Sequence, residues 1–347
     1  MNETRYRAGI IGLGFIGGGD QVSGDRIGQK VENLDGTHRT ALSNHPRVDL
    51  VAGCDPDPGR RERFAERTGA KTYADWREML AAEPLDIVSI ATSPPLHAEI
   101  TIGCAERGVR VVYCEKALAT SAAEGDRMLA ACARSGTLLV TNYMRRFNPN
   151  YHRLRELVLA GELGSLTALS LRWGTGRLAC VGSHFFDAAQ MITNRRIVAV
   201  SGTLDLSEMS DCRGPEFYDP GGWGMLKLEG DLIAVVNGAN HGIGPATLTI
   251  EGTTGKAVTG GDHVEITWAD GRHEFWPSTR SEGTSMDHAV ARIVEWLDNP
   301  GEFIPRPEEA LRSLEAVIAF HLSHARNACW VSLPLTGEDR DFRVVSG

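Results

Sequence analysis

Short, almost continuously apolar runs alternate with helix-period segments through the first 141 residues. The runs cover residues 7–11, 48–54, 86–91, 109–114 and 138–141. Strands that are apolar along their whole length are covered on both faces, as the strands of parallel sheets are. The segments between the runs repeat apolar residues at helical spacing, and Ser121 with Glu124 forms a capping-box pattern before the last of them. The pattern predicts an α/β domain with a doubly wound parallel sheet over residues 1–142.

The pattern changes after Asn142, where a helix is predicted over about residues 150–160 and alternating strand-like segments follow. These segments cover residues 166–173, 198–206, 222–228, 231–237, 246–251 and 264–268. Alternation with glycine-rich turns is typical of an open, mostly antiparallel sheet that packs on one face. Two late helices, 285–297 and 307–328, complete an α+β domain over residues 143–347. We expect the last helix to return to the first domain.

Composition narrows the class of protein. The chain has 347 residues and a formal net charge of −9, and a length beyond the ~250–300 residues of a single core favours two domains. The negative charge, without a concentrated basic face, argues against nucleic acid as a partner. Seven scattered cysteines without a C-x-x-C pair indicate neither a disulfide framework nor a zinc module. With no signal-peptide pattern and no long apolar run, we expect a cytoplasmic protein without membrane contact.

A glycine-rich turn, G-x-G-x-x-G, directly follows the first predicted strand. The residues expected to bind a cofactor there are Gly12, Gly14, Phe15, Ile16 and Gly17. Such a turn lets the backbone approach a pyrophosphate, whose charge is received by helix N-terminal N–H groups. Asp55 closes the second strand and is placed to accept hydrogen bonds from an adenosine ribose 2′-hydroxyl. Its charge would repel a 2′-phosphate, which predicts NAD rather than NADP, although Arg60 and Arg61 follow closely and could soften the preference.

The spacing of this nucleotide motif is unusual. Asp55 lies 38 residues after Gly17, where about 20 is usual. The excess matches an extra segment over about residues 18–36. Without that segment, the spacing from Gly17 to Asp55 would be that of an ordinary dinucleotide-binding βαβ unit.

Several later motifs resemble one known family. The fourth predicted strand leads into VVYCEKA at residues 111–117, the third into ATSPPLH at 91–97, and RFNP at 146–149 and GSHFFD at 182–187 follow. Together with the glycine turn, these motifs resemble the Gfo/Idh/MocA oxidoreductases, the family of glucose–fructose oxidoreductase and inositol dehydrogenase. The resemblance covers about residues 7–334. It implies a Rossmann domain, a second domain whose sheet often forms an oligomer interface, a nicotinamide cofactor and a sugar or cyclitol substrate.

The resemblance also implies the catalytic roles. The family lysine that contacts the substrate hydroxyl corresponds to Lys116, and the family histidine that acts as acid or base corresponds to His184. A lysine partly desolvated beside a positively charged nicotinamide has a lowered pKa. Glu115 would position the cofactor or the lysine. The alternatives are a surface Glu–Lys pair at a strand end and, for the histidine, a core residue beside a helix cap at Ser183.

Other residues are candidates for contacts with the cofactor or the substrate. The cofactor set is completed by Thr92, Ser93, Pro94, Glu115, Lys116 and His97, for the last of which a loop-stabilising role is equally plausible. The substrate candidates are Arg146, Cys180, Asp187 and Trp173. Arg145, Arg146, Arg172 and Arg177 could clamp a carboxylate or phosphate, or be solvated or ion-paired. Trp173 and Trp223 could face a sugar ring, although the core is favoured for both, and Asn240 and His241 could reach a pocket. Two ligands, His184 and Asp187, do not make a metal cage, so no metal is expected.

The chain departs from the family pattern in three places. Cys180 stands where an aspartate is common, so it cannot supply the charge that would orient and stabilise an imidazolium unless its thiol ionises. Ala117 replaces the proline of E-K-P. The segment 18–36 intrudes beside the pyrophosphate turn as a lid or an oligomer contact. Within that segment Asp20, Gln21 and Asp25 could reach a polyol.

Three functions are compatible with these residues. The favoured one is an NAD(H)-dependent dehydrogenase or reductase acting on a secondary alcohol of a sugar, sugar derivative or cyclitol, as a homo-oligomer. A redox-neutral lyase, hydrolase or epimerase that uses tightly held NAD is the second. A non-catalytic sensor that binds NAD and a partner protein is the third.

Overall fold

The computed structural model describes residues 4–21, 36–208 and 218–345. Its first sheet contains β1 (Tyr6–Ile11), β2 (Val48–Cys54), β3 (Lys71–Tyr73), β4 (Ile87–Ile90), β5 (Val111–Cys114) and β6 (Leu138–Thr141). The order is β3-β2-β1-β4-β5-β6 with every neighbouring pair parallel, which confirms the predicted doubly wound sheet. Only β3 was not predicted, because its three residues, K-T-Y, are too short to form an apolar run.

In the part of the chain that the structure describes, six helices surround this sheet. They are α1 (Phe15–Gly18), α2 (His38–Asn44), α3 (Pro58–Thr68), α4 (Trp76–Ala82), α5 (His97–Glu106) and α6 (Ala122–Ser135). Ser121 caps α6, as predicted, by accepting the N–H of Glu124. The reciprocal half of the predicted capping box is wrong, because the Glu124 carboxylate accepts the N–H of Thr120 instead of that of Ser121.

Among the described residues, the second sheet is mixed and has nine strands. The elements that follow the first domain along the chain are α7 (Pro149–Leu159), β7 (Leu166–Arg172), α8 (Ser183–Thr193), β8 (Ile197–Leu204), β9 (Gly222–Leu228), β10 (Ile233–Gly238), β11 (Thr247–Gly252), β12 (Gly255–Gly260), β13 (His263–Trp268), β14 (His273–Trp276), α9 (Ser285–Asp298), α10 (Pro307–Ala325) and β15 (Val331–Ser332). The order is β14-β13-β12-β11-β7-β10-β9-β8-β15, and its pairs are antiparallel apart from β7 with β10. The predicted mostly antiparallel sheet is therefore confirmed.

Both late helices contact elements of the first domain. Helix α10 packs on β8 and α8 and also touches α6 and β6, while α9 packs against α2. The ring of Phe320, on α10, lies against glycines of β8 and β9. A Cβ at Gly202 would lie 2.4 Å from this ring, and one at Gly222 or Gly224 would lie 2.9 Å from it. These glycines therefore let α10 approach the sheet closely.

The extra segment predicted over about residues 18–36 is described only at its two ends, and Asp25 lies outside the described residues. Asp20 is buried, and its carboxylate accepts hydrogen bonds from Arg63 at 2.9 and 2.7 Å. Arg39 and Arg67 donate to the carbonyls of Gly18 and Gly19. Asp20 therefore anchors the start of the segment to α3, which corrects the suggestion that it reaches a polyol; Gln21 beside it is half-buried.

No helix among the described residues is long and apolar enough to cross a membrane.

Candidate active site

A cavity of about 1390 Å³ is lined by residues of both domains. Predicted site residues among its lining are Gly12, Gly14, Phe15, Ile16, Asp55, Thr92, Ser93, Pro94, Glu115, Lys116, Cys180 and His184. Residues at the carboxyl ends of β1, β2, β4 and β5 therefore meet the start of α8 in one space. Ligands of open α/β sheets bind at this edge.

The glycine turn has the close packing that a dinucleotide loop requires. Gly12 has φ = +94°, and a Cβ there would lie 2.6 Å from the backbone of Ala91. A Cβ on Gly17 would lie 1.9 Å from the carbonyl oxygen of Gly12. Gly14 is the N-cap of α1 and lines the cavity. Gly17 does not line the cavity, and its lack of a side chain lets α1 pack closely against the turn after β1.

Asp55 lies at the same end of the cavity as the glycine turn. The residue is buried, and its carboxylate accepts the N–H of Leu13 at 2.8 Å and that of Asp57 at 2.9 Å. Arg60 lies 3.5 Å from the carboxylate, while Arg61 donates to the Asp55 carbonyl. A carboxylate held against the turn in this way fits an adenosine ribose, so these residues fit a bound dinucleotide.

Glu115 lies at the wall of the cavity and is held in a buried polar network. Its Oε1 lies 3.0 Å from the Nε2 of His38 and accepts a hydrogen bond from the Asn142 amide at 2.6 Å. The other ring nitrogen of His38 lies 3.1 Å from the Ser89 hydroxyl. Burial acts to raise the pKa of Glu115, but His38, the Lys116 charge and the Asn142 bond together lower it. Glu115 is therefore an ionised carboxylate beside Lys116.

His38 was missed by sequence reasoning. The available signal was its position, because it begins the helix at which the ordinary βα unit resumes after the extra segment.

Lys116 reaches across to the second domain. Its Nζ donates to the Sγ of Cys180 at 3.2 Å, and the Lys116–Ala117 peptide is cis. Burial acts to lower the pKa of Lys116, but Cys180, Glu115 and Asp219 together raise it above its ordinary value. The expected lowering considered only burial and the nicotinamide charge, whereas the surrounding side chains act in the opposite direction.

His184 is the cavity-lining imidazole of α8. Among the described residues its buried Nδ1 has no hydrogen-bond partner, and its ring meets that of Tyr143 edge-on at 5.5 Å. Burial and the positive charges of Arg145 and Lys116 hold the pKa of His184 well below its ordinary value. The ring is therefore neutral at pH 7 and able to accept a proton.

Comparison with known proteins agrees with this arrangement. Residues 6–143 match the family model named GFO_IDH_MocA, described as an oxidoreductase family with an NAD-binding Rossmann fold. The match lies within the first domain of the chain. That domain therefore resembles the NAD-binding Rossmann domain of the Gfo/Idh/MocA oxidoreductases, as the sequence motifs implied.

Individual members of the family are distant from this chain. Inositol 2-dehydrogenase of Salmonella paratyphi B is 28% identical over 161 residues, which are 46% of this chain and 43% of that protein. The match therefore spans less than half the length of that relative. Inositol 2-dehydrogenase 1 of Saccharopolyspora erythraea is 27% identical over 82% of this chain and 86% of its own length. The structure of levoglucosan dehydrogenase with NADH and levoglucosan has a TM-score of 0.80 at 19% identity, covers 96% of this chain and all of its own, and shows the shared fold.

Three of the substrate candidates do not line the cavity. Arg146 is buried and donates to the Asp187 carboxylate at 2.7 and 2.9 Å and to Glu309 at 2.7 Å. Asp187 also accepts the Ser313 hydroxyl. Trp173 is a core residue whose indole stacks on Phe185. The suggestion that Arg146, Asp187 and Trp173 contact substrate is thus corrected, because each is occupied by interior partners.

His97 is also removed from the cavity. Its two ring nitrogens lie 2.9 Å from the Ala117 carbonyl oxygen and 3.0 Å from that of Thr92. Burial lowers the pKa of His97, so the ring is neutral. Of the two roles left open, the structure supports loop stabilisation, and His97 reaches a cofactor only through the loop it holds.

The remaining candidates are divided between surface and interior. Arg145 and Arg177 line the cavity, whereas Arg172 donates to the Ile243 carbonyl. Trp223 is 43% exposed, contrary to the expectation of a core residue.

The glycine-rich turn at residues 238–244 is held by its own contacts. Asn240 is buried and bonds Asp205 and Ser207, and His241 lies 2.9 Å from the Glu208 carbonyl oxygen. Neither residue lines the cavity.

Across residues 4–21, 36–208 and 218–345, no group of three or more His, Cys, Asp or Glu side chains is arranged to hold a metal ion.

Proposed function

We propose that the chain is an NAD(H)-dependent dehydrogenase or reductase acting on a secondary alcohol of a sugar, sugar derivative or cyclitol. The observation that carries the proposal is the meeting of Lys116 and His184 in one cavity with the glycine turn. The two side chains come from different domains, and the charge of Lys116 acts on the pKa of His184. The inositol and levoglucosan dehydrogenases among the similar proteins support the substrate class.

The two side chains have complementary roles. A bound nicotinamide would supply or accept the hydride. The Lys116 ammonium donates a hydrogen bond to the alcohol oxygen, which stabilises negative charge developing there. Neutral His184 accepts the hydroxyl proton during oxidation and returns it during reduction. The Glu115 carboxylate, fixed by His38 and Asn142, accepts the backbone N–H of Lys116 at 3.3 Å, and its negative charge favours the Lys116 ammonium.

The test is steady-state nicotinamide absorbance with a panel of polyols, aldoses and cyclitols. Lys116→Ala should reduce kcat/KM by about 100-fold or more, while the exposed-lysine control Lys256→Ala should retain wild-type activity. Full activity in Lys116→Ala would contradict the proposed mechanism. Product formation without net NADH, by protein that keeps its cofactor through gel filtration, would support the redox-neutral class instead. Selective binding of a regulator without turnover of any polyol would support a sensor.

We also propose that the protein is a homo-oligomer that associates through the second sheet. The outer face of that sheet exposes Trp223, Met225 and Val235, at 43%, 42% and 50%. Val235 pairs with Met225 across β9 and β10, so the apolar residues are contiguous. Met225→Lys should reduce the sedimenting mass, whereas Ile304→Lys, on an exposed loop away from this face, should not. A monomeric wild-type protein would contradict the proposal.

A further inference from the structure

Asp219 is a buried carboxylate behind the contact between Lys116 and Cys180. It is 1% exposed, and its two carboxylate oxygens accept the backbone N–H groups of Ala179 at 2.9 Å and Cys180 at 2.8 Å. Its carbonyl oxygen also accepts the N–H of Arg177 at 2.9 Å. Asp219 therefore fixes the backbone of the π-helical segment Leu178–Gly182, which leads into α8 and carries Cys180 to Lys116.

The charge of Asp219 also acts on Lys116. Position 180 holds a thiol where the family commonly has an aspartate. The nearby carboxylate is instead that of Asp219, which accepts the backbone N–H of Cys180. Glu115, on the strand side of Lys116, shares its carboxylate with His38 and Asn142.

Two further residues that line the cavity with Lys116, His184 and Arg145, carry no negative charge. His184 is neutral on the second-domain side, and Arg145 adds positive charge there. Of the described groups that raise the pKa of Lys116, Asp219 is therefore the one that brings a carboxylate from the second domain.

We propose that Asp219 is a positioning residue for Lys116: it holds the Cys180 turn in place and supplies negative charge to the lysine from behind the thiol. The proposal rests on the function proposed above for Lys116. A purely structural carboxylate would hold the turn but leave the protonation of Lys116 unchanged, so pH dependence separates the two roles.

The first experiment measures the pH profile of kcat/KM for Asp219→Asn. One limb of this profile is expected to report the deprotonation of Lys116. Loss of one nearby negative charge should move that limb to lower pH by about half to one unit. The value of kcat should fall about tenfold with KM nearly unchanged, because Asp219 does not line the cavity. Adding Cys180→Asp to Asp219→Asn should move the limb back to higher pH, since it restores a carboxylate beside the lysine.

The matched control is Asp205→Asn. Asp205 is also buried and accepts backbone N–H groups, but these belong to Ser207 and Asn240 rather than to the Cys180 turn. The control should leave the pH limb in place. An Asp219→Asn protein with the wild-type melting temperature and an unmoved limb would overturn the proposal.

The second experiment needs no turnover. Cys180 is half-buried in the cavity, and peptide mass spectrometry can follow its alkylation by iodoacetamide in the protein without added cofactor. Asp219→Asn should change the alkylation rate of Cys180, because the Asp219 carboxylate accepts the backbone N–H of this residue, whereas Asp205→Asn should leave the rate unchanged. An unchanged rate in Asp219→Asn overturns the proposal. A changed rate in a protein that oxidises no polyol would leave the positioning by Asp219 established and reject the dehydrogenase function alone.

A second neutral variant guards against loss of folding. If Asp219→Asn melts well below wild type, Asp219→Ser replaces it in both experiments, since its hydroxyl still accepts one N–H of the turn. Failure of both variants to fold would assign Asp219 to fold stability and overturn the positioning role.

Discussion

The Nζ of Lys116 lies 3.2 Å from the Sγ of Cys180. This contact joins the end of β5 in the Rossmann domain to the segment that opens α8 in the second domain. A lysine and a thiol therefore meet at the point where the family commonly pairs a lysine with an aspartate. The pKa of Lys116 is nevertheless raised, since Cys180, Glu115 and Asp219 together outweigh burial.

The charge at position 180 should control the pH dependence of the reaction. Cys180→Asp places a carboxylate against Lys116 and should move its limb in the kcat/KM profile to higher pH, by about one unit. Cys180→Ala removes the thiol and should move the limb to lower pH. Profiles measured over pH 6–11 check both directions, with Cys180→Ser as the isosteric control. Coincident limbs in the Asp and Ala variants would show that the titrating group is not Lys116.

Asp55 should decide the choice between the two dinucleotides. Asp55→Asn removes the charge that repels a 2′-phosphate and weakens the ribose contact, so the dissociation constant of NADH should rise about tenfold or more. Binding of NADPH should improve relative to NADH, because Arg60 lies 3.5 Å from the same carboxylate. Titration of nicotinamide fluorescence measures both constants. Asp57→Asn, which changes the neighbouring N-cap of α3, is the control, and an unchanged ratio in Asp55→Asn would contradict the assignment.

The Arg146–Asp187 pair should be important for stability. Arg146→Ala leaves the buried Asp187 carboxylate without its guanidinium and should lower the free energy of unfolding by about 3–5 kcal/mol. Urea denaturation measures the loss, and Arg155→Ala, which removes an exposed hydrogen bond to Asn194, should cost less than about 1 kcal/mol. The double variant Arg146→Met with Asp187→Leu should lose less than Arg146→Ala alone. A loss below 1 kcal/mol in Arg146→Ala would show that the pair is not needed.

His321 should make the protein sensitive to acid. Burial and the nearby His324 lower the pKa of His321 to about 4, and its Nε2 has no partner among the described residues. The unfolded chain binds this proton near pH 6.5 and the folded chain only near pH 4. Stability is therefore fully present above about pH 6.5 and declines by up to about 3 kcal/mol as the pH falls through 4.

The variant His321→Leu should reduce that decline. Melting temperatures at pH 7, 6 and 5 measure it, with the exposed His273→Leu as the control. Parallel pH dependence in wild type and His321→Leu would contradict the role of this histidine.

Local patterns in the chain were enough to predict much of this protein. The near-continuous apolar runs predicted the parallel sheet because a strand buried on both faces has no polar side. The glycine turn was predictable since Gly12 needs a positive φ and a close approach to Ala91 that other residues cannot make. Lys116 and His184 were identified through short motifs around them, and both line the cavity.

Partners distant in sequence were decided by tertiary structure alone. His38 and Glu115 are 77 residues apart, and Arg146 and Asp187 are 41 apart. No periodicity or spacing couples such positions, because their contact depends on how separate elements pack. The same limit applies to Asp219, since only the folded chain shows that its carboxylate accepts the backbone N–H of Cys180. The sequence by itself determined the elements and the residues able to do chemistry; packing decided which of them meet, since burial and charge act through space.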